Sequence, residues 1–246
     1  MPLLRWHHSE EVALRARASR LGERGACPRL RRCRPHGRVL RRRGLRPQLS
    51  RFPELPTRLA ARPRRIEPDP GYHLAAVALV CAPGPDALLV IRRAERDGDP
   101  WSGQMGLPGG RHDAADGDLL TTVIREVQEE VGLSLEPSQL AGLLDDLTPN
   151  TVRLPRIMVR PFVFVLPARV VPTPNHEVAG AHWIAIDRLR QPGIYGTREV
   201  MAQGETFRFP GYGLEEGTIW GLTERILTPF LDLLHGPAEA AGILDV

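Results

Sequence analysis

Two short apolar runs on either side of a turn open the regular part of the sequence. The runs are HLAAVALVCA (73–82) and ALLVIRR (87–93), and Pro83-Gly84-Pro85-Asp86 lies between them. Short apolar runs bounded by Gly, Pro and Asp are typical of β-strands joined by a turn. We therefore predict two paired strands in this region.

A helical spacing of apolar residues follows, from about Leu119 to Val131. One apolar stripe is formed by Leu120, Val123, Ile124, Val127 and Val131. Asp116 or Asp118 is the predicted N-cap, and Gly132 is the predicted stop. The Gly/Pro-rich loop before the helix, DGDPWSGQMGLPGGRHDAADGD, is too long for a simple connection and is therefore a functional candidate.

Three later apolar runs predict further strands: LAGLLDDL (140–147), IMVRPFVFVLP (157–167) and GAHWIAI (180–186). A short helix is expected to open at Asp187. A closing helix is expected over 218–234, where Pro229 predicts a kink or a split. Strands and helices are interspersed without a strict repeat, which predicts an α+β fold with a mixed central sheet between helices.

Charge divides the chain into two unequal parts. Residues 1–66 hold 19 arginines and four acidic residues, whereas residues 67–246 hold 14 arginines and 25 acidic residues. The first part has few large apolar residues at any steady period, so we predict a disordered extension at 1–66. A short helix around 54–61 is expected to lead into the domain, which we place at 67–236, with a tail at 237–246.

Three interpretations of the extension stay open. Arginine neutralises phosphate regardless of sequence, so charge alone permits a nucleic-acid-binding arm. An Arg-rich, acid-poor segment is also typical of a mitochondrial transit peptide, although serine is scarce here. We favour an extension without a function of its own and expect no nucleic-acid partner.

Membrane insertion and secretion are not expected. No apolar run approaches the roughly 20 residues that a membrane-spanning helix needs, and the opening MPLLRWHHSEE has no apolar stretch of a secretory signal. We therefore expect a cytoplasmic protein. The sequence leaves the oligomeric state open, including a homodimer.

Three carboxylates share one side of the predicted helix. At about 100° per residue, Glu126, Glu129 and Glu130 fall within roughly a third of its circumference, away from the apolar stripe. Crowded carboxylates repel one another, and a divalent cation is the simplest compensation. Oxygen ligands favour Mg²⁺ or Mn²⁺ over zinc. Arg125 is expected to brace one of these glutamates, or Asp116.

A solvated helix face is the alternative explanation of this charge run. The preceding Gly109-Gly110 pair favours a site, because glycine allows the backbone to approach the helix and leaves a carbonyl as one more oxygen ligand. Two arginines outside the helix, Arg93 and Arg111, are candidates for holding phosphate oxygens.

These residues resemble a known motif, the Nudix box of nucleoside-diphosphate-X hydrolases. The resemblance rests on Gly110, Asp116, Arg125-Glu126, Glu129-Glu130, Gly132 and Leu133. Asp116 stands where the family usually has Glu, and the interval to Arg125 is one residue longer than in the common box. Both departures resemble the coenzyme A diphosphatase branch, in which the box often runs G-G-x-x-D-x-x-D.

Other stretches are similar to the same branch: Leu89 and Arg93, Gly103–Pro108, Asn175, Glu177-Val178 and Ile219–Gly221. The branch has a histidine near Trp101-Ser102 and a phenylalanine at Leu107, and neither is present here. The resemblance covers about residues 70–235.

The resemblance implies a Nudix-type α/β/α sandwich and hydrolysis of a diphosphate bond. Mg²⁺ or Mn²⁺ is then held by Gly110, Glu126, Glu129 and Glu130. Glu129 is the general-base candidate within the box and Glu177 the candidate in a later loop, while Arg125 braces the box. The implied partner is a small nucleotide-type substrate.

The first substrate candidate is CoA, which would give 3′,5′-ADP and 4′-phosphopantetheine. ADP-ribose, NADH and nucleoside triphosphates are alternatives, because specificity lies outside the box. A catalytically silent nucleotide-binding module is an alternative of another class. An RNA-cap hydrolase with a basic RNA-binding arm is the fourth interpretation.

Overall fold

The computed structural model describes residues 49–66, 71–96, 101–149, 156–202 and 205–235. The predicted disorder of the extension therefore falls, for residues 1–48, outside the described residues. The tail placed at 237–246 lies outside them as well. All described residues belong to one compact unit of the chain.

The larger sheet is mixed. β1 runs parallel to β6, with His73 opposite Ile157, whereas β1 is antiparallel to β2 and to β4. Its strands are β1 (His73–Ala82), β2 (Ala87–Arg93), β3 (Met105–Gly106), β4 (Gly109–Arg111), β5 (Leu140–Leu143), β6 (Ile157–Val165) and β7 (Val178–Ala185). β1 and β6 are buried along most of their length because both of their faces are covered.

Helices cover both faces of this sheet. The helices are α1 (Leu55–Ala60), α2 (Leu119–Val131), α3 (Ile186–Leu189) and α4 (Gly221–His235). On one face Val123, Val127 and Val131 of α2 pack with strand residues such as Ala78. On the other face α1 and α4 pack in a second cluster, which includes Leu79 and Phe230. This arrangement confirms the predicted fold class.

Helix α2 has the predicted bounds. The Asp118 side chain accepts a 2.7 Å hydrogen bond from the N–H of Thr121, so Asp118 is the N-cap. Gly132 ends the helix in the left-handed conformation, with φ of 68°. Asp116, the other candidate for the N-cap, instead ends the short 3₁₀ helix Ala114–Asp116.

A second, three-stranded antiparallel sheet was not predicted. It contains β8 (Tyr195–Ala202), β9 (Glu205–Leu214) and β10 (Gly217–Trp220), in the order β10-β9-β8. The closing helix predicted to begin at residue 218 therefore begins at Gly221, after β10. α4 is a single helix through Pro229, because the buried side chains of Leu227, Phe230 and Leu231 hold both sides of the proline in the core.

The segment 49–66 packs with the domain, although its charge predicted that it belongs to the extension. Phe52, Leu55 and Leu59 are buried in the cluster that contains α4. Arg58 donates to the carbonyls of Leu233 and Leu234 at 2.8 and 2.9 Å. The segment expected to belong to the extension up to residue 66 therefore packs with the domain from residue 49, because buried apolar residues and ion pairs such as Arg62–Asp145 hold it there.

Helices that could cross a membrane are absent from the described part of the chain, since none there combines the necessary length with sufficient apolar character.

Candidate functional site

The site is built where β4 leads into α2. Gly109 and Gly110 lie on β4, opposite Val77 and Ala76 of β1. Gly109 has φ of 146°, and any side chain there would overlap the backbone of Ala76 and Val77. Only glycine fits this close approach. The approach places the N–H of Gly109 within reach of the helix.

Glu130 is buried, with 2% of its surface exposed, although it carries a carboxylate. The N–H of Gly109 donates a 2.8 Å hydrogen bond to its Oε2. Burial raises the pKa of Glu130 to about 7, and the charges of Glu126 and Glu177 raise it as well. The Gly109 N–H and the charge of Arg93 act in the opposite direction. Strongly shifted pKa values cluster at functional sites, where burial and neighbouring charges of like sign meet as they do here.

Glu126 rests directly against Gly110. A methyl group on Gly110 would overlap the carboxyl group of Glu126, so the glycine forms a cradle for this carboxylate. Burial raises the pKa of Glu126, and the ion pair with Arg125, at 3.0 Å, opposes this effect. The charges of Glu129 and Glu177 raise the pKa further.

Arg125 braces the carboxylates, as predicted. Its guanidinium donates two hydrogen bonds to Asp116, at 2.8 and 3.0 Å, and a third to Glu129 at 3.1 Å. These bonds from Arg125 hold the pKa of Asp116 well below its usual range. Asp116 also accepts a 2.9 Å hydrogen bond from the hydroxyl of Thr122. Arg125 thereby ties the loop before α2 to the middle of the helix.

Glu177, the candidate in the later loop, lies immediately before β7. Its backbone carbonyl accepts a 2.8 Å hydrogen bond from the N–H of Ala94, and its carboxylate pairs with Arg96 at 2.8 Å. Its charge raises the pKa values of Glu126 and Glu130, so it lies close enough to act on the box carboxylates. Sequence reasoning did not select Arg96, because its partner is 81 residues away. Its position at the start of the candidate loop was the available signal.

The two arginines proposed for phosphate binding have different positions. Arg93 ends β2, opposite Val178, and its charge acts on Glu130. Arg111 lies on β4 with an exposed side chain. Among the described residues, no contact joins the Arg111 side chain to the box carboxylates. The structure therefore brings Arg93 to the candidate site but leaves Arg111 at its edge.

The described residues contain no preformed cluster of metal-binding side chains. Among the described residues, no group of three or more His, Cys, Asp or Glu side chains is close enough to hold a metal ion. Arg125 pairs with the Glu129 side chain at 3.1 Å, and this side chain is 55% exposed, whereas Glu130 is buried. Nη1 of Arg125 lies 3.0 Å from Glu126 and 3.1 Å from Glu129, and the charge of Glu126 acts on the buried Glu130. A shared metal site for the three carboxylates stays a prediction.

The residues nevertheless fit a hard divalent cation by donor type. The charge of Glu126 raises the pKa of Glu130, and the charge of Glu129 raises that of Glu126, which is the repulsion that a bound cation would relieve. The donors are all carboxylate or carbonyl oxygens, as Mg²⁺ and Mn²⁺ prefer.

Comparison with known proteins identifies the family of this chain. The NUDIX domain family matches residues 71–204. A Nudix hydrolase of Photorhabdus laumondii, called NudL, is 28% identical over 166 residues, which cover 67% of this chain and 86% of that protein. A Schizosaccharomyces pombe protein is 38% identical over 112 residues, which cover 43% of this chain and only 33% of that protein.

A solved structure is similar over part of the chain. The MutT/nudix family protein from Enterococcus faecalis aligns with a TM-score of 0.47 and 14% identity, covering 67% of this chain and 62% of that chain. The family match, which spans more than half of the sequence, shows that this chain belongs to the Nudix family. It thus joins a class of hydrolases that act on phosphorus-containing anhydrides and generally use divalent metal ions.

Proposed function

We propose that this protein hydrolyses the diphosphate bond of a nucleoside diphosphate linked to another moiety, in a reaction that depends on Mg²⁺ or Mn²⁺. The observation that carries the proposal is the buried Glu130 carboxylate, held by the Gly109 N–H beside Glu126. A buried acid with a raised pKa destabilises the fold when it is ionised. Such a group is retained where its charge serves a ligand.

Glu126, Glu129, Glu130 and the carbonyl of Gly110 would hold the cation. When bound, a divalent cation neutralises phosphate charge and lowers the pKa of a coordinated water. The protein's own contribution is positional. Arg125 orients Glu126 and Glu129, and the Gly109 N–H fixes one oxygen of Glu130.

Two residues are candidates for the general base that takes a proton from the attacking water. Glu129 is exposed and paired with Arg125, whereas Glu177 is paired with Arg96 and its charge acts on Glu126 and Glu130. The pH–rate profiles of Glu129→Gln and Glu177→Gln separate them, since only loss of the base removes the acidic limb of the profile.

CoA is the first substrate candidate, with 3′,5′-ADP and 4′-phosphopantetheine as products. Its support is the similarity of the Gly109–Asp116 spacing and of Gly103–Pro108 to the coenzyme A diphosphatase branch. ADP-ribose, NADH and nucleoside triphosphates are the alternatives. Arg93, near Glu130, is a phosphate-binding candidate for each of these substrates, and Arg111 is a second candidate at the edge of the site.

The test is a substrate panel in Mg²⁺ and in Mn²⁺, with CoA, ADP-ribose, NADH, diadenosine polyphosphates and dNTPs. Chromatography of the products identifies both the substrate and the bond that is cut. Hydrolysis of CoA to the two named products supports CoA as the substrate. Hydrolysis of another member of the panel identifies that compound as the substrate instead. If no member is hydrolysed, the hydrolase proposal fails for this substrate class.

A catalytically silent nucleotide-binding module is the candidate of a different class. The presence of buried Glu130 beside Glu126 argues against it, because a silent module gains nothing from two repelling carboxylates. The basic N-terminal arm is tested by removing residues 1–48, since 49–66 pack in the core. Unchanged turnover, with no RNA affinity in the full chain, would exclude an RNA-directed function. We place the protein in the cytoplasm and leave a homodimer as a further possibility.

A further inference from the structure

A row of three aromatic rings lies on one face of the small sheet. Phe207 and Phe209 of β9 have ring centroids 5.9 Å apart, and Phe209 and Trp220 of β10 have centroids 5.2 Å apart with an angle of only 14° between their planes. Phe209 is 37% exposed. Gly211, opposite Trp220 in the strand pairing, adds no side chain between the rings. These contacts hold the rings in a fixed stack.

The direction of this row follows from strand alternation. Ile219 and its cross-strand partner Tyr212 are buried in the cluster that contains α4. Because successive side chains of a strand point to opposite faces, Trp220 points to the other side. The same side carries Phe209, which stacks on it.

Contacts place β10 beside β3, the strand that precedes β4. A Cβ on Gly217 would lie 2.8 Å from Cγ of Met105, which belongs to the same cluster as Ile219. The next residue of β3, Gly106, is opposite Ile91, whose side chain packs on the face covered by α2. Trp220, on the opposite side of β10 from Gly217 and Ile219, therefore points away from the cluster that contains Met105.

The strand that carries Trp220 lies beside β3. Phe209 covers one face of the indole ring, and the row runs from β9 to β10. β10 is the outer strand of the small sheet, and its neighbour is β3, as the contact of Gly217 with Met105 shows. Gly106 leaves space beside the start of α4. The nearest atom to a Cβ at this position would be Oγ1 of Thr223, at 3.9 Å. Three residues after Gly106 comes Gly109, which holds Glu130.

We propose that Trp220, backed by Phe209 and Phe207, is a stacking surface for the purine base of a nucleotide whose diphosphate lies at Glu126 and Glu130. The inference rests on the proposed function, because it assumes a nucleotide substrate. A half-buried indole in a fixed stack binds a planar base at little entropic cost, since the rings are already ordered. Every base has a π-face, so the surface selects nucleotides over non-aromatic diphosphates.

The experiment measures equilibrium binding of ADP and of inorganic pyrophosphate to the full chain in Mg²⁺, by calorimetry. Trp220→Leu is expected to weaken ADP binding about tenfold while leaving pyrophosphate binding unchanged. Trp220→Phe, which keeps a π-face, should retain most of the ADP affinity. Trp183→Leu is the matched control, because it removes the same side chain from a different sheet. Trp183 lies on β7 of the larger sheet, opposite Leu89, whereas the aromatic row lies in the three-stranded sheet.

Phe209→Leu decides the question if Trp220→Leu does not fold, since removal of the backing ring should also weaken ADP binding selectively. Wild-type protein that binds ADP no more tightly than pyrophosphate would overturn the proposal. An equal loss of affinity for ADP and for pyrophosphate in the Trp220 and Phe209 variants would overturn it as well. Failure of the hydrolase proposal is distinguished by the substrate panel, because selective loss of ADP affinity does not depend on turnover.

Discussion

The backbone N–H of Gly109 donates a hydrogen bond to Glu130, which lies 21 residues later in the sequence. The donor is held in place by strand pairing with β1, and the acceptor is buried beneath it. The hydrogen-bond donor that fixes this carboxylate is therefore a backbone N–H rather than a mobile side chain. Most of the expected behaviour of the site follows from this bond.

Glu130→Gln should lower kcat roughly 10³-fold while the protein stays folded. The amide oxygen can still accept the bond from Gly109, but the side chain no longer carries a charge. Turnover of the best panel substrate in Mg²⁺ measures the loss, and thermal melting checks the fold. Glu215→Gln, at a side chain that is 95% exposed, is the control. Near wild-type turnover in Glu130→Gln would remove Glu130 from the site.

Without metal, stability should fall as the pH rises. Burial raises the pKa of Glu130 from 4.5 to about 7. The contribution of this group is therefore fully present below about pH 4.5 and is lost as the pH rises through 7. Denaturant unfolding in EDTA at pH 5.5 and pH 8 measures the difference. Glu130→Gln should show a smaller loss, and Mg²⁺ should stabilise the wild type more at pH 8. Equal pH dependence in the two proteins would contradict this account.

Asp116→Asn should destabilise the protein by about 2 kcal/mol, because two charge-assisted hydrogen bonds from Arg125 lose their carboxylate. Arg125 holds the pKa of Asp116 below its ordinary value, so this contribution is present above about pH 4 and is lost only in stronger acid. Denaturant unfolding at pH 7 gives the magnitude. Arg125→Lys keeps the positive charge but loses the bidentate geometry. This variant should therefore retain only part of the stabilisation that the Arg125–Asp116 pair provides. An unchanged midpoint in Asp116→Asn would argue against the brace.

Alanine at Gly109 and at Gly110 should have different effects. At Gly110 the new methyl group meets the end of the flexible Glu126 side chain, which can move aside. We expect turnover to fall at least about tenfold, with little change in melting temperature. At Gly109 the methyl group meets the backbone of β1, and φ is 146°, so the fold itself should be destabilised. Comparable melting temperatures for the two variants would contradict this distinction.

Leu55→Ala should cost about 2–5 kcal/mol of unfolding free energy, because Leu55 is fully buried against the domain. Leu49→Ala removes the same side chain where it is 93% exposed, and should be neutral. Denaturant unfolding of the two variants, side by side, provides the measurement. A neutral Leu55→Ala would show that segment 49–66 does not contribute to the stability of the domain.

Local signals explain which elements the sequence predicted well. The bounds of α2 depend on Asp118, Gly132 and an apolar stripe, all of which act within one or two turns. The small sheet was missed because β9 contains Pro210, Gly211 and Gly213, residues typical of loops. Its pairing with β8 and its packing on α4 override that local preference. The burial of Phe52, Leu55 and Leu59 was not predicted either, because the surrounding arginines indicated a disordered extension.

At the candidate site, too, local features were predicted and features that depend on tertiary packing were not. Helical geometry gave the identities of Glu126, Glu129 and Glu130, because their spacing is local. Burial of Glu130 and exposure of Glu129 depend on where β4 crosses the helix, and no local spacing contains that information. The contact between Arg96 and Glu177 joins two loops and was equally out of reach.

The hydrogen bonds from Arg58 to the carbonyls of Leu233 and Leu234 join residues about 175 positions apart. During synthesis, the segment that carries Phe52, Leu55 and Leu59 leaves the ribosome long before its partner helix exists. Until α4 is made, these apolar side chains lack their contacts with it, although β5, where Gly142 lies against Leu59, is made earlier. The segment can therefore complete its docking only after α4 is made, and a nascent chain stalled before α4 leaves part of this apolar surface uncovered.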